Sequence, residues 1–178
     1  MKVISTKIPD VKVIIPDIFE DNRGYFFESF NQKNFNEAIG SRITFVQDNE
    51  SRSKKGVLRG MHYQKQPFSQ SKLIHVNQGE IFDVALDIRI NSPSYGEWVS
   101  EILSADNKKQ LWIPEGFAHG FLALSDEVKV MYKTTHFYSK NHEKTIKYNN
   151  KKFNIKWPEM SEYFLSENDK NAVGLIED

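Results

Sequence analysis

Apolar and polar residues alternate along most of the chain in short runs, which is the pattern of strands that bury one face. In the run that contains Val130, Tyr132 and Thr134, for example, these three side chains share one face of a strand. Aromatic residues make up 13% of the chain and many lie inside such runs, which favours strands over helices. The pattern predicts strands at residues 11–15, 24–30, 43–51, 56–63, 72–77, 79–89, 97–103, 110–114, 118–124 and 128–138.

The predicted strands follow one another closely, with turn-forming residues between them. Strands at such close and even spacing indicate a sandwich or barrel rather than βαβ units. Helix signals are few: residues 31–39 form a short amphipathic segment with Phe35 and Ile39 on one face and Gly40 as its stop. Residues 158–172 are expected to form helical turns. We therefore predict an all-β fold with short C-terminal helical segments, in a single domain over residues 1–178.

Composition narrows the function classes. The 178 residues are enough to bury a hydrophobic core without cross-links such as disulfides or a structural metal. The absence of cysteine excludes disulfides, thiolate metal sites and a thiol nucleophile. The chain carries 24 basic and 24 acidic residues, whereas nucleic-acid binders usually have a basic excess, so no nucleic-acid partner is expected. No apolar run resembles a signal peptide or approaches the roughly 18 residues of a membrane span. A soluble, cytoplasmic protein with no membrane partner is the expectation.

The first segment with candidate chemistry is Gly56-Val57-Leu58-Arg59-Gly60-Met61-His62-Tyr63-Gln64. A lone histidine is more often structural than functional. In a regular strand Arg59 and His62 would face opposite sides, because side chains alternate with a period of two. Glycine inside a strand often marks a bulge, and a bulge at Gly60 would bring both side chains to one face.

The second segment is Trp112-Ile113-Pro114-Glu115-Gly116-Phe117-Ala118-His119-Gly120-Phe121. Its P-x-G-x-x-H spacing resembles the second motif of the cupins, which places a histidine at the mouth of a small β-barrel. The first cupin motif normally carries H-x-H and a following glutamate, but here it reads His62-Tyr63-Gln64. A site of two histidines and one carboxylate needs a third ligand that this segment does not supply. We therefore expect no metal site.

With these segments in place, the chain resembles the dTDP-4-dehydrorhamnose 3,5-epimerases from about residue 3 to residue 172. The resemblance implies a double-stranded β-helix, or jelly roll, of the cupin type. It rests on ordered blocks at residues 21–28, 45–49, 57–64, 79–89, 110–121, 132–135 and 165–169.

The resemblance implies an isomerase that works without a cofactor. Members invert C3 and C5 beside the 4-keto group of a nucleotide-linked 6-deoxyhexose, through deprotonation to an enolate and reprotonation, as a step of dTDP-rhamnose and polysaccharide biosynthesis. His62 is implied as the general base, and a positioned base contributes roughly 10²–10⁴-fold to the rate. Asp169 is implied as the carboxylate that holds it. Locally, however, Ser166 to Asp169 also reads as an S-x-x-D helix cap, and Asp83 is the fallback partner.

The remaining catalytic roles are also carried by resemblance. Lys72 is implied to stabilise the developing enolate, beside His119, which would help polarise the keto oxygen. Tyr132 is implied as the acid on the opposite face of the sugar, and the plain alternative is an aromatic wall residue.

Substrate-binding positions are implied as well. Arg59 matches a pyrophosphate contact, and Gln47 and Asn49, two residues apart, share a strand face from which both amides can reach the nucleotide. Arg23 and Glu28 match contacts from a partner subunit, which implies a homodimer with a pocket shared between subunits. Glu143 also matches a binding position. The non-functional alternatives are a turn residue for Arg23 and a solvated surface residue for Glu143.

One departure from the family pattern is Asn168, where lysine is common before the C-terminal aspartate; Lys170 is a candidate substitute. Rival functions are an epimerase acting at a single carbon, a 3,4-ketoisomerase on another nucleotide sugar, a metal-dependent cupin and a sugar-binding sandwich without catalysis.

Overall fold

The structure is a computed structural model, and it describes residues 1–173. Thirteen strands and two short helices follow one another in this part of the chain. The strands are β1 (Lys2–Ser5), β2 (Lys12–Ile15), β3 (Phe19–Asp21), β4 (Gly24–Phe26), β5 (Gln47–Lys54), β6 (Leu58–Gln64), β7 (Lys72–Gln78), β8 (Glu80–Asp87), β9 (Trp98–Ser104), β10 (Gln110–Ile113), β11 (Phe117–Ala123), β12 (Glu127–Thr134) and β13 (Glu143–Thr145). The helices are α1 (Gln32–Ile39) and α2 (Glu167–Lys170).

Two antiparallel sheets form the body of the fold. One has six strands in the order β1-β2-β10-β7-β12-β5, and the other has five in the order β13-β6-β11-β8-β9. Strands 3 and 4 form a separate hairpin. Apart from the pairs β1-β2 and β8-β9, neighbouring strands in these sheets are distant in sequence, so most connections cross between the sheets, as in a jelly roll. The predicted all-β jelly roll is confirmed.

The main core lies between the two sheets. Ile74 and Val130 from the six-stranded sheet pack against Ala85, Val99 and Phe121 from the five-stranded sheet. The alternation of strand residues directs this set inward, while polar residues of the same inward phase gather at one end of the space between the sheets. That polar end holds the candidate site.

The outer faces of both sheets are covered as well. Phe35 of helix α1 packs on Ile14, Leu73 and Trp112 of the six-stranded sheet. Chain that follows β13 covers the five-stranded sheet, where Phe153 contributes to a second cluster. Buried on both faces, the strands carry more apolar residues than one-sided alternation alone would require.

Helix α1 matches its sequence signals closely. The side chain of Asn31 accepts a hydrogen bond from the backbone N–H of Asn34 at its start, and Gly40 ends it in a left-handed conformation with φ of 72°. The predicted helical turns over 158–172 are reduced to the four residues of α2. No helix in residues 1–173 is long and apolar enough to cross a membrane.

Predicted strands differ from the observed ones mainly where aromatic residues do not enter a ladder. Phe30 and Phe45 lay inside predicted strands, but they pack around Phe35 with ring centroids 5.7 and 5.3 Å away. These two apolar positions therefore reflect the packing of aromatic rings around α1 and not the pairing of strands. Strands 1, 3 and 13 are short, and the sequence pattern did not predict them.

Candidate active site

The candidate site is a cavity of about 270 Å³ at the polar end of the space between the sheets. Six of its lining residues come from five strands and carry polar or charged groups: Ser51, Arg59, His62, Lys72, His119 and Tyr132. Glu143 lines it as well, so the cavity brings together six of the residues singled out by sequence, from distant parts of the chain.

Strand β6 places Arg59 and His62 on one face by means of a bulge. His62 pairs with His119 and Arg59 with Phe121, so three steps on β6 match two on β11. The bulge centres on Gly60, whose φ of 116° suits glycine, and a Cβ there would lie 2.6 Å from the Cα of Gly120. The predicted bulge is confirmed, and Arg59 and His62 both line the cavity.

His62 is held by a carboxylate from the end of the chain. Its Nε2 lies 2.6 Å from Oδ1 of Asp169, which is only 2% exposed. Burial opposes ionisation of Asp169, but hydrogen bonds from His62, from Ser166 and from the backbone N–H of Gly60 hold its pKa below the ordinary value. A carboxylate only accepts, so Nε2 of His62 carries the proton and Nδ1 carries the lone pair.

The two local interpretations of Asp169 are both present in the structure. Ser166 caps helix α2 by accepting a hydrogen bond from the backbone N–H of Asp169 at 3.1 Å. The same short helix delivers the Asp169 carboxylate to His62. The sequence S-x-x-D therefore supplies both the cap of helix α2 and the carboxylate that binds His62.

Asp83 is not the partner of His62, so that fallback interpretation is wrong. Its Oδ1 accepts a hydrogen bond from Nε2 of His119 at 2.8 Å. Asp83 lies on β8 beside β11, and this adjacency directs it to His119 rather than across to β6. Burial lowers the pKa of His119, although Asp83 pulls it upward. Neutral His119 therefore gives its N–H to Asp83 and leaves Nδ1 as an acceptor.

Lys72 is a buried cation at the floor of the cavity. Its Nζ lies 3.4 Å from the backbone carbonyl of His62. Burial lowers its pKa to about 8, against the attraction of Asp83 and Glu143. Lysine is usually solvated, so the burial of this one inside a polar cavity makes it a candidate functional residue.

Tyr132 faces the same cavity from β12, as its phase with Val130 and Thr134 predicted. Burial raises the pKa of its phenol, so the hydroxyl stays protonated at neutral pH. Glu143, at the start of β13, also lines the cavity and accepts a hydrogen bond from the Tyr138 hydroxyl at 2.9 Å. The alternative interpretation of Glu143 as a merely solvated surface residue is therefore wrong.

A second opening, of about 340 Å³, adjoins the first. The two share Arg59, His62 and Glu143, and the second also includes Asn168. Lys170 does not line it; its Nζ instead contacts Glu167 at 2.9 Å. Arg59 is fixed at this boundary because its Nε donates to the Ser53 hydroxyl at 3.0 Å.

Four predicted binding residues lie outside the cavity lining in a single chain. Gln47 donates to Asn49 at 2.8 Å on strand β5, and its carbonyl oxygen accepts from the backbone N–H of Tyr138. Arg23 pairs with Asp21 on the exposed hairpin, at 2.6 Å. Glu28 lies nearby, where it accepts from Asn31. The hairpin residues therefore do not reach His62 of their own chain.

Sequence reasoning missed Ser51 and Tyr138, which line the cavity, and it missed a hydrogen bond that the Ser166 hydroxyl donates to Oδ2 of Asp169 at 2.8 Å. The buried hydroxyl oxygen of Ser51 has no hydrogen-bond partner among residues 1–173, and it lines the cavity. The phase shared with Gln47 and Asn49 was the available signal for Ser51. For Ser166 the S-x-x-D pattern predicted only the helix cap and not the bond to the carboxylate.

The donor set of the site does not resemble a metal centre. No group of three or more His, Cys, Asp or Glu side chains within residues 1–173 is placed to hold an ion. His62 and His119 are adjacent, but each imidazole has a hydrogen-bonded carboxylate at Nε2. The arrangement suits proton transfer from carbon beside a buried cation.

Known proteins share this architecture. The sequence profile of the dTDP-4-dehydrorhamnose 3,5-epimerase family matches residues 5–177. The epimerase of that name from Shigella flexneri is 55% identical over 177 residues, covering 99% of this chain and 97% of the relative.

Solved structures agree with this match. A dTDP-6-deoxy-D-glucose-3,5-epimerase from Legionella pneumophila, in complex with dTDP-4-keto-L-rhamnose, is 49% identical with a TM-score of 0.94, covering 96% of this chain and 90% of that one. A 3'-monoepimerase from Streptomyces bikiniensis, in complex with dTDP-quinovose, is 30% identical with a TM-score of 0.90, covering 96% and 86%.

Proposed function

The chain belongs to the dTDP-4-dehydrorhamnose 3,5-epimerase family, and from that premise we propose how its own residues carry out the reaction. It is an epimerase that inverts C3 and C5 of a nucleotide-linked 4-keto-6-deoxyhexose, taking dTDP-4-dehydro-6-deoxy-D-glucose to dTDP-4-dehydro-L-rhamnose. The single observation that carries the assignment of roles is the His62–Asp169 pair at the mouth of the cavity.

His62 is the general base in this proposal. Asp169 fixes the Nε2–H tautomer, so Nδ1 holds the lone pair that removes a proton from the carbon beside the ketone. The electron pair of the broken C–H bond moves to the ketone oxygen and forms an enolate. Asp169 stays ionised throughout, and it stabilises the imidazolium that results.

Lys72 supplies the positive charge for the enolate oxygen. A cation already desolvated in the cavity stabilises new negative charge without reorganisation of solvent. His119 lies beside it with its N–H committed to Asp83. We therefore assign the role of polarising the ketone to Lys72, and propose that His119 accepts a hydrogen bond at Nδ1 from the bound sugar.

Tyr132 returns a proton to carbon from the opposite face of the sugar. Its phenol lines the same cavity as His62, on the facing sheet, and its raised pKa keeps it in the donor form. Removal of a proton by His62 and delivery by Tyr132 on the other face gives inversion.

The nucleotide part of the substrate extends over the second opening. Arg59, held by Ser53 at the boundary of the two openings, faces the diphosphate, since the guanidinium fork suits phosphate oxygens. Ser51, whose hydroxyl lacks a protein partner in the described chain, contacts the hexose, with Gln47, Asn49 and Glu143 nearby.

A homodimer completes the pocket. Phe19 and Phe26 of the hairpin are 65% and 67% exposed, an unusual state for neighbouring aromatic residues. Docking of this hairpin on a second copy would bury them and bring Arg23 and Glu28 to the partner's nucleotide. We further propose that the protein acts in the cytoplasm, since a chain without cysteine suits a reducing compartment.

The deciding experiment is proton exchange in D₂O. With dTDP-4-keto-6-deoxy-D-glucose, deuterium should enter at C3 and C5 with the wild type, and the product should have the L-rhamno configuration. Exchange at one carbon only would contradict inversion at both carbons and would indicate a monoepimerase, the activity named for the similar Streptomyces bikiniensis enzyme. No exchange at either carbon would contradict the proposal.

A further inference from the structure

The hydroxyl of Ser166 makes two hydrogen bonds to the same residue. Its oxygen accepts from the backbone N–H of Asp169 at 3.1 Å, and its single proton is donated to Oδ2 of Asp169 at 2.8 Å. A hydroxyl has one proton, so both directions are fixed by this geometry. The first bond is an ordinary helix cap, whereas the second goes to the carboxylate that holds His62.

Both oxygens of the Asp169 carboxylate are consequently engaged. Oδ1 binds His62 at 2.6 Å and Oδ2 binds Ser166, while the N–H of Gly60 adds a third donor. A carboxylate bound at one oxygen is free to rotate about its Cβ–Cγ bond. One bound at both oxygens holds a single orientation relative to the imidazole.

The rest of α2 gives little independent support to this orientation. The helix has only four residues, and Asp169 is its single buried residue. Upstream, the segment is tied to β6 by backbone hydrogen bonds from Phe164 to Gly56 at 2.9 Å and from Leu58 to Phe164 at 3.0 Å. Between this tie and Asp169, the Ser166 side chain is the contact that acts on the carboxylate itself.

We propose that Ser166 is a positioning residue for the general base: it locks the Asp169 carboxylate so that Oδ1 fixes the Nε2–H tautomer of His62. This inference rests on the function proposed above. Ser166 touches neither the imidazole nor the reacting carbon, and it acts through Asp169 alone.

Two measurable consequences separate this role from simple capping. Without Ser166 the carboxylate holds two orientations, only one of which aligns His62, so turnover falls while substrate binding does not. The effect also depends on the hydroxyl rather than on the helix cap alone, so a residue that keeps a hydroxyl at position 166 should keep the rate, because the bond to Oδ2 is what holds the carboxylate.

The test compares Ser166→Ala with Ser166→Thr, which keeps the hydroxyl. For Ser166→Ala we expect kcat for exchange in D₂O to fall about 10-fold, because misalignment of His62 removes part of the roughly 10²–10⁴-fold that a positioned base contributes. KM should stay within about twofold of wild type, because Ser166 does not contact the substrate. Ser166→Thr should restore kcat to near the wild-type value.

Two further variants keep the test decisive. Ser166→Val has nearly the shape of Ser166→Thr without the hydroxyl, so a difference between these two isolates the hydrogen bond if alanine disturbs the segment. Ser161→Ala removes an exposed serine from the same segment and should behave as wild type. The downfield N–H resonance of His62 should sharpen with serine or threonine at 166 and weaken with alanine or valine.

The inference is overturned if Ser166→Ala turns over normally, or if threonine and valine are equally impaired. It is also overturned if kcat in these variants falls only in step with the melting temperature, because that result describes a helix cap and nothing more. A wild type that exchanges no deuterium contradicts the proposed function instead, so the two failures are distinct.

Discussion

His62 and His119 lie directly opposite each other on β6 and β11, and each forms a hydrogen bond through Nε2 to a different aspartate. In a metal-binding cupin two such histidines would point toward one ion. Here each histidine instead donates its Nε2–H to an aspartate, His62 to Asp169 and His119 to Asp83. Neither N–H group is therefore available to a bound sugar. Lys72, which lines the same cavity, is then a buried charged donor beside them.

Removal of the base should have the largest single effect on exchange. We expect His62→Ala to lower deuterium incorporation at C3 and C5 by about 10²–10⁴-fold. Asp169→Asn should also be severely impaired, because an amide that donates to Nε2 forces the wrong tautomer. The exposed His136 provides a matched control, and His136→Ala should retain full exchange. Near-normal exchange by His62→Ala would exclude the imidazole as base.

Tyr132 should separate proton removal from inversion. In Tyr132→Phe the base is intact, so exchange on the face of His62 should persist in part, but delivery from the other face is lost. We expect deuterium in recovered starting sugar with little or no inverted product, measured by NMR at each ring position. If the phenylalanine variant inverts C5 at the wild-type rate, Tyr132 is a wall residue and the acid lies elsewhere.

These roles differ in how far the sequence could predict them. The bulge at Gly60 and the inward phase of Tyr132 follow from local rules, so pattern alone placed Arg59 with His62. The Asp169 contact joins residues 107 positions apart, and strand register decides that Asp83 serves His119. Periodicity gives the face of a residue but not its neighbour on another strand, so resemblance alone supplied Asp169.

Lys72 should set an alkaline limit on activity. Its pKa lies near 8, so its charge is present below that pH and lost above it. We expect kcat/KM to fall with rising pH above about pH 8, with loss of one proton. Tyr132 does not account for this limb, because burial raises its pKa above the ordinary 10.0. In Lys72→Arg the remaining activity should lose the limb, and an unchanged limb would point to another group.

Asp87 should matter for stability rather than catalysis. Burial disfavours its charge, but bonds from Arg89, Ser92 and Ser94 outweigh this and hold its pKa at about 2. The stabilisation is therefore complete above the ordinary value of 3.8 and is lost as pH falls toward 2. We expect Asp87→Asn to lower the free energy of unfolding by about 2 kcal/mol near neutral pH.

Urea unfolding at several pH values checks this prediction. The gap between wild type and Asp87→Asn should narrow as pH falls from about 4 toward 2, because the unfolded chain takes up the proton first and the folded carboxylate takes it up only near pH 2. Asp126→Asn, at an exposed turn, is the matched control and should unfold like the wild type at each pH. A constant gap across the pH range would mean that the carboxylate charge is not the source of the stability.

The shared pocket makes the sharpest prediction, because Arg23 and His62 would then serve one site from different chains. Arg23→Ala and His62→Ala should each be impaired as pure proteins. Dissociated and reassociated in equal amounts, half of the dimers are mixed, and each mixed dimer holds one site with both defects and one with neither. Activity should therefore recover to about one quarter of wild type. If Arg23 serves its own chain, every site in the mixture keeps a defect and no recovery occurs. Sedimentation of the reassociated sample shows whether dimers formed, so an inactive mixture of dimers would refute the exchange of the hairpin.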